Sequence, residues 1–471
     1  MSNPGLLRDA ALWAAQETSG VQLGDRRRTA RLVTVTTALA QNPNGTLPGT
    51  FTNWKDLRAA YRLLAEPDVT HDAIVAPHCL RVGQACQAPG QYLLVEDTTT
   101  LSFNTHAATA DLGPVNDHGS KGILVHNTLA LRVTGWDPEQ VPTLTVLGLA
   151  GQNCWVRPQK ALKRKQKTKE GRLGRVRESA RWAISLPAGP SELAGVQWIY
   201  VADRESDIYE VFERCAVRGA DWVIRAAQAR ALVAEDHSVL AAVAMAPVRG
   251  EVSLKLRARP GELAHTMRAA LRACTLILRG PWRPGGPPAP RPMQAVEVRE
   301  LNPPVGRKPM VWVLLTSLPI GTLAQIKRIV GCYTQRWLVE EFHKALKSGT
   351  QMEASQLATG RALQALCAVL SLVALRLLET KLYARAFPDE PVPPGQFAPE
   401  LLRLLAAKLG CPPGGWTQRT VWRGIARCGG FLGRQGDGEP GGMTIWRGWR
   451  SLLNMVEGLA LYHKKGDQQC G

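Results

Sequence analysis

Glu340 lies in the run Cys332-Tyr-Thr-Gln-Arg-Trp-Leu-Val-Glu-Glu-Phe-His-Lys-Ala-Leu-Lys347, where Tyr333, Arg336, Glu340 and Lys347 follow one another at spacings of three, four and seven. In a helix turning about 100° per residue, these four fall within a wedge of roughly 60°. One face would then offer a carboxylate flanked by an aromatic hydroxyl and two cations. The opposite face, Leu338, Val339, Phe342, Ala345 and Leu346, reads as a core-facing stripe. Two more carboxylates close apolar runs: Asp97 follows Tyr92-Leu-Leu-Val95, and Asp203 follows Val196-Gln-Trp-Ile-Tyr-Val-Ala202. Carboxylates at strand ends beside one on a helix can converge on one edge of a sheet. Like charges a few ångströms apart cannot all stay ionised unless cations bind them. Two Mg²⁺ ions resolve that cost and suit phosphodiester chemistry, since one activates an attacking water and the other steadies the leaving oxygen. Taken singly, Asp97 reads as a turn residue, Asp203 as a loop or cap residue, and the four helical residues as an ordinary polar face. Their order and their basic setting favour the chemical reading.

That setting is pronounced. The chain of 471 residues carries 58 Lys plus Arg against 39 Asp plus Glu, a net charge of +19. Such an excess points to a polyanionic partner, most often nucleic acid. The length allows two to four domains. The longest apolar stretch, Ala365 to Leu375, is too short to span a bilayer and is expected to be a core helix. No membrane partner is expected, and the N-terminus shows no apolar signal-peptide core. Ten cysteines without a CxxC pair suggest neither a zinc site nor a disulfide framework, and fit a soluble intracellular protein.

The elements that must position the carboxylates can be traced along the chain. The first seventy residues read as helical and basic, with Asp25 capping a helix that opens Arg26-Arg-Arg28 and continues through Arg31; Arg58 and Arg62 share a face of the next helix. Arg27, Arg28, Arg31, Arg58 and Arg62 could equally be a solvated basic face or contacts to phosphates. From Gln91, runs at 92–95, 123–133 and 143–149 predict an antiparallel meander. Arg157 to Arg181 holds eleven Lys or Arg in twenty-five positions, either a solvated segment or a phosphate-binding arm. After Asp203, Ser206 is expected to cap a helix with Ile208, Val211, Phe212 and Cys215 on its inner face. A β-rich block follows at about 226–320, with Trp312 in Val311-Trp-Val-Leu-Leu-Thr316, and helices dominate from Ile326 onward.

Asp97, Asp203 and Glu340, with Tyr333, Arg336 and Lys347 in the pattern Y-x2-R-x3-E-x6-K, resemble the DDE transposases of the insertion-sequence-four, or YREK, family, most of all its cut-and-paste members of the transposon Tn-five type. The resemblance covers nearly the whole chain, through Leu23 to Val33, Glu96 to Thr99, Asp203 to Glu205, Tyr333 to Lys347 and Ile425 to Gly430. It implies an α/β protein: a ribonuclease-H-like catalytic core at 71–372 with a β-strand insertion at about 226–320, a helical DNA-end-binding domain at 1–70 and a helical dimerisation domain at 373–471. By the same resemblance Asp97, Asp203 and Glu340 would hold two Mg²⁺, with Mn²⁺ able to substitute. Tyr333, Arg336 and Lys347 would grip phosphates, Trp312 would stack on a flipped base, and Arg225 would line the DNA channel. Arg27, Arg28, Arg31, Arg58 and Arg62 would contact the terminal inverted repeats. Double-stranded DNA, both transposon ends and target, and a second copy in a synaptic homodimer are the expected partners, in a bacterial cytoplasm close to the nucleoid. The competing expectation is a catalytically silent DNA-binding derivative or a transposition inhibitor.

Overall fold

The structure is a computed structural model that describes residues 10–158 except 52 and 117, residues 178, 181 and 182, and residues 193–468 except 234–236, 257–264, 284–285, 305 and 435–436. Most of the basic segment between Arg157 and Arg181 lies outside the described residues.

Three parallel strands organise the protein. They are β1 (Gly90–Ser102), β5 (Val196–Ala202) and β6 (Asp221–Arg225), adjacent in that order. On one side β1 pairs antiparallel with β3 (Lys121–Trp136), which also carries β2 (Gly113–Pro114) and β4 (Pro142–Trp155). Beyond β6 come β10 (Val311–Thr316), β9 (Arg291–Glu300), β8 (His265–Leu278) and β7 (Val248–Leu256), all antiparallel. The β-rich block therefore does not form a separate body; it extends the same ten-stranded sheet. The predicted meander is present as β1, β3 and β4.

The sheet is buried on both faces because alternate residues of the central strands are apolar on each. Leu93, Val95, Ile199, Val201 and Val223 face one core, and Tyr92, Leu94, Trp198, Tyr200, Trp222 and Ile224 the other. The second core is closed by α6 (Tyr209–Val217) and α7 (Val239–Met245). The first is closed by α8 (Leu323–Thr334), α9 (Trp337–Lys344) and α10 (Gly360–Ala386). It also takes in the N-terminal helices α1 (Ala10–Glu17), α2 (Arg26–Gln41), α3 (Leu47–Thr50), α4 (Trp54–Ala65) and α5 (His71–Ala85), and the C-terminal α11 (Pro399–Leu409), α12 (Gln418–Cys428) and α13 (Gly442–Gln468).

Three sequence expectations are corrected. Residues 333–347 are not one helix: α8 ends at Thr334, α9 begins at Trp337, and Ala345–Gly349 forms a π-helical turn. The break has a local cause. The Gly331 carbonyl, which would accept the Gln335 N–H in a regular helix, is taken by the Thr334 hydroxyl (2.7 Å) and the Gln335 side chain (3.4 Å). The Gln335 N–H turns instead to Cys332, tightening the turn. Second, Ser206 does not cap a helix. Asp203 caps the short 3₁₀ turn Arg204–Ser206 through a 2.9 Å bond from the Glu205 N–H, and α6 starts at Tyr209 without a side-chain cap. Third, α10 runs for 27 residues, long and apolar enough by length and composition to cross a membrane, but 78% of its most apolar window is buried inside the fold. It is the core helix expected from Ala365 to Leu375, only longer.

Candidate active site

Parallel pairing brings the first two carboxylates together. In the β1–β5 register Val95 lies opposite Val201, and each Asp comes two residues later. Asp97 and Asp203 thus lie at the same level, just past the last β1–β5 pair. Asp203 follows β5, but Asp97 does not end its strand as expected, because β1 runs on to Ser102 against β3 and pairs Asp97 with Asn127. Glu340 is brought to them by α9, which seats Leu338, Val339 and Phe342 in the core beneath it.

The carboxylates feel one another. Burial pushes the Asp97 carboxyl up to about 7, and the nearby charges of Asp203 and Glu340 add to the rise while Arg336 opposes it. One Asp97 oxygen accepts the Thr98 N–H at 2.8 Å. The other faces the Arg336 guanidinium at 3.7 Å, and Arg336 reaches Glu340 at 2.5 Å. Arg336 is therefore wedged between two of the three acids. As they stand, no three His, Cys, Asp or Glu side chains among the described residues are grouped to hold a metal ion. The chemistry of the donor set nonetheless fits a hard dication. Three carboxylates supply only oxygen, the ligand type such an ion prefers. A cation pair seated here would displace Arg336 from the acids.

Next to the acids stands an aromatic and cationic wall. Tyr333 is buried, and its ring meets that of Trp312 edge-on at 5.2 Å. Burial raises the Tyr333 phenol above its usual range, against the pull of Arg336 and Arg225. Arg225, at the end of β6, donates to the Val311 carbonyl at 3.3 Å. Tyr333, Trp312, Arg225, Arg336 and the three acids are thus one neighbourhood. Lys347 sits further on, in the π-helical turn, where it lines a cleft with His106, Gln351 and Glu353.

The N-terminal arginines divide. Arg27, Arg58 and Arg62 are exposed. Arg28 is bound to Glu66 at 2.6 Å and Asp68 at 2.7 Å, and Arg31 to Asp56 at 2.9 Å. The last two hold α2 against α4 and the loop after it.

One set of polar residues behind the acids was not singled out in the sequence. His343 is buried, with Nδ1 4.0 Å from Asp97 and Nε2 3.0 Å from the Asn127 side chain. Asn127 in turn meets Gln152, and Gln152 meets His71 and Ser371. The available signal was His126-Asn127-Thr128, a polar triplet inside the otherwise apolar stretch from Ile123 to Leu131.

Acids gathered just past the parallel β1–β5 pairs, beside cations and aromatics, suit phosphodiester chemistry. Three protein families match the chain. Residues 10–69 match the transposase DNA-binding family, residues 196–376 the transposase DDE domain, and residues 406–468 the transposase Tn5 dimerisation domain. Together they describe a Tn5-like DDE transposase, whose DDE domain makes the chain a DNA-cleaving and strand-transferring enzyme. Asp203, Trp312 and the segment from Tyr333 to Lys347 fall inside the DDE match; Asp97 precedes it and joins through β1.

Proposed function

We propose that this enzyme belongs to the YREK branch and carries out cut-and-paste transposition, binding terminal inverted repeats as a homodimer in a bacterial cytoplasm. The observation that supports the reading is the level placement of Asp97 and Asp203 just past the parallel β1–β5 pairs, with Arg336 linking Asp97 to Glu340. In this reading residues 1–70 bind DNA ends, residues 71–372 form a ribonuclease-H-like core interrupted at about 226–320, and residues 373–471 pair the two copies.

Asp97, Asp203 and Glu340 would hold two Mg²⁺, replaceable by Mn²⁺, which when bound would activate the attacking oxygen and neutralise the leaving one. The protein side chains have separable tasks. Arg336, displaced from Asp97 and Glu340, is left with a free guanidinium beside the acids and takes a DNA phosphate in exchange. Tyr333 and Lys347 grip neighbouring phosphates. Trp312, edge-on to Tyr333, offers a ring face on which a base drawn out of the stack can rest while the strand bends into a hairpin. The order of reactions is then a nick by water that frees a 3′-OH, attack of that 3′-OH on the opposite strand, reopening of the hairpin by water, and attack of the same 3′-OH on target DNA. Each breaks one P–O bond as it makes another.

The test is incubation of the purified protein with its element's own linear end DNA and Mg²⁺, beside Asp97→Ala. Nicks and hairpins with the wild type alone are the expected result. Binding without cleavage by the wild type would favour a silent DNA-binding derivative instead.

A further inference from the structure

Behind Asp97 runs a line of buried polar side chains, hydrogen-bonded from His71 to His343, that stops 4.0 Å short of Asp97. It starts at Asp72 on the surface, whose carboxylate meets His71 Nδ1 at 2.8 Å. His71 Nε2 meets the Gln152 carbonyl oxygen at 2.9 Å. The Gln152 amide nitrogen donates to Asn127 Oδ1 at 2.6 Å and to the Ser371 hydroxyl at 2.9 Å. The Asn127 amide nitrogen meets His343 Nε2 at 3.0 Å. His343 Nδ1 then faces Asp97 at 4.0 Å. Asn127 is fully buried, and His71, Gln152 and His343 are each less than a tenth exposed. Such groups are retained inside a core only when they are hydrogen-bonded.

The line has a direction. The Asn127 amide nitrogen also points to the Val125 carbonyl at 3.5 Å, and a carbonyl can only accept. That sets Asn127 with its nitrogen toward His343 and its oxygen toward Gln152. His343 Nε2 must then be the bare, accepting nitrogen, so the ring proton sits on Nδ1. The same direction leaves His71 between two acceptors, Gln152 Oε1 and Asp72, and therefore with a proton on each nitrogen.

From this geometry we infer that His343 is a positioning residue for Asp97. Its Nδ1–H, fixed by Asn127, Gln152 and His71, is a neutral donor 4.0 Å from the carboxylate oxygen that Arg336 also faces, and a shift of about 1 Å would bring the two into a hydrogen bond. When Arg336 leaves for DNA, that oxygen loses its nearest cation, and His343 remains to hold its orientation. A neutral donor serves here where a second cation would compete with the metal pair for the same carboxylate. Because the inference deepens the transposase reading, it rests on that reading.

The tautomer can be read without any catalysis. The full-length protein, labelled with ¹⁵N-histidine, should show His343 with a protonated Nδ1 and a bare Nε2, its signals assigned by their loss in His343→Gln. Asn127→Asp keeps the shape but replaces the donating amide with an acceptor, and should move the proton to Nε2. The rate of end nicking in Mg²⁺ should then fall at least tenfold, and the affinity for Mn²⁺ measured by electron paramagnetic resonance should fall with it. Binding of end DNA in metal-free buffer should be unaltered. If Asn127→Asp fails to fold, a second pair decides. An Asn at position 343 places its amide where Nδ1 stood, and a Gln places it where Nε2 stood, so His343→Asn should nick at least tenfold faster than His343→Gln. A wild-type His343 protonated on Nε2, wild-type nicking by Asn127→Asp, or equal nicking by the two 343 variants would overturn the inference. Failure of the wild type to nick at all would strike the transposase reading instead, while the ¹⁵N signals would still report the direction of the line.

Discussion

Asp97 shows how a site can hold its charge at the expense of stability. Its carboxyl is pushed up to about 7, chiefly by burial, from an unfolded value near 3.8. The folded protein therefore holds this proton more tightly than the unfolded chain. Below the unfolded value both states are protonated and nothing is lost; as pH rises toward 7, stability drains away, and above it the whole cost is present. Three pH units correspond to a cost on the order of 4 kcal/mol. Asp97→Asn removes the charge and keeps the shape. In metal-free buffer it should melt higher than the wild type at pH 8 and nearly level with it at pH 4, while losing end cleavage. Equal melting differences at both pH values would show that Asp97 is not the source. The arginines make a parallel point about which charges are available. Arg58 and Arg62 are exposed, whereas Arg28 is committed to Glu66 and Asp68. Arg58→Ala should lower the slope of log affinity against log salt by about one. Arg28→Ala should instead lower the melting temperature and leave the slope alone; a slope change in Arg28→Ala with no loss of stability would reverse the assignment.

At the scale of elements, the junction of α8 and α9 decides where Arg336 points. Its hinge is crowded: a Cβ on Gly331 would lie 2.1 Å from the Gln140 carbonyl oxygen in the turn between β3 and β4. Gly331→Ala must therefore push the helix off that turn. A loss of about 3 kcal/mol or more is expected, against 1–3 for ordinary overpacking, read as a fall in melting temperature and in soluble yield. Melting within about a degree of wild type would mean that the turn yields freely, since a few kcal/mol should move the midpoint by more. The same junction marks the limit of what sequence reveals. The apolar stripe from Leu338 to Leu346, the three strands of the meander and Asp203 at the end of β5 were legible because they follow from periodicity and from charge at the ends of apolar runs. That β1 continues past Asp97 to Ser102 was not, because polar Thr98 to Thr100 hide its pairing with β3. The break at Gln335 was not legible either, because the one nearby Gly, Gly331, lies four residues earlier inside α8 and the break arises from two side chains competing for its carbonyl. The line from His71 to His343 was equally hidden. Its members come from α5, β4, β3 and α9, and only the fold brings them into register.

Among the described residues, two polar contacts help tie the N-terminal helices to the catalytic part of the molecule. Asn44, in the loop after α2, donates to the carbonyls of Ser348 (2.9 Å) and Gly349 (3.3 Å) in the π-helical turn that carries Lys347. Arg361, in the first turn of α10, donates to the carbonyls of Ala65 and Glu66 at the end of α4, both at 2.6 Å. These carbonyls belong to helix ends, where intrahelical donors run out; Ser348 and Glu66 also accept from the Gln351 side chain and the Val69 N–H. Between the two ties lies apolar packing of α10 against α2 and α4, which holds the units together but resists sliding poorly, being non-directional. The ties therefore hold the exposed Arg58 and Arg62 at a set distance from Lys347, which in the proposed reading decides where a phosphate lands once the DNA end is gripped. Displacing reacting groups by about 1 Å can cost on the order of a hundredfold in rate. Asn44→Ala combined with Arg361→Ala should thus bind end DNA within about twofold of wild type in metal-free buffer, since neither residue lies among the exposed arginines. Single-turnover nicking of the bound end should fall by about ten- to a hundredfold. Parallel loss of binding and nicking would mean that the ties serve only the folding of the N-terminal helices, and unaltered nicking would mean that the apolar packing alone sets the distance.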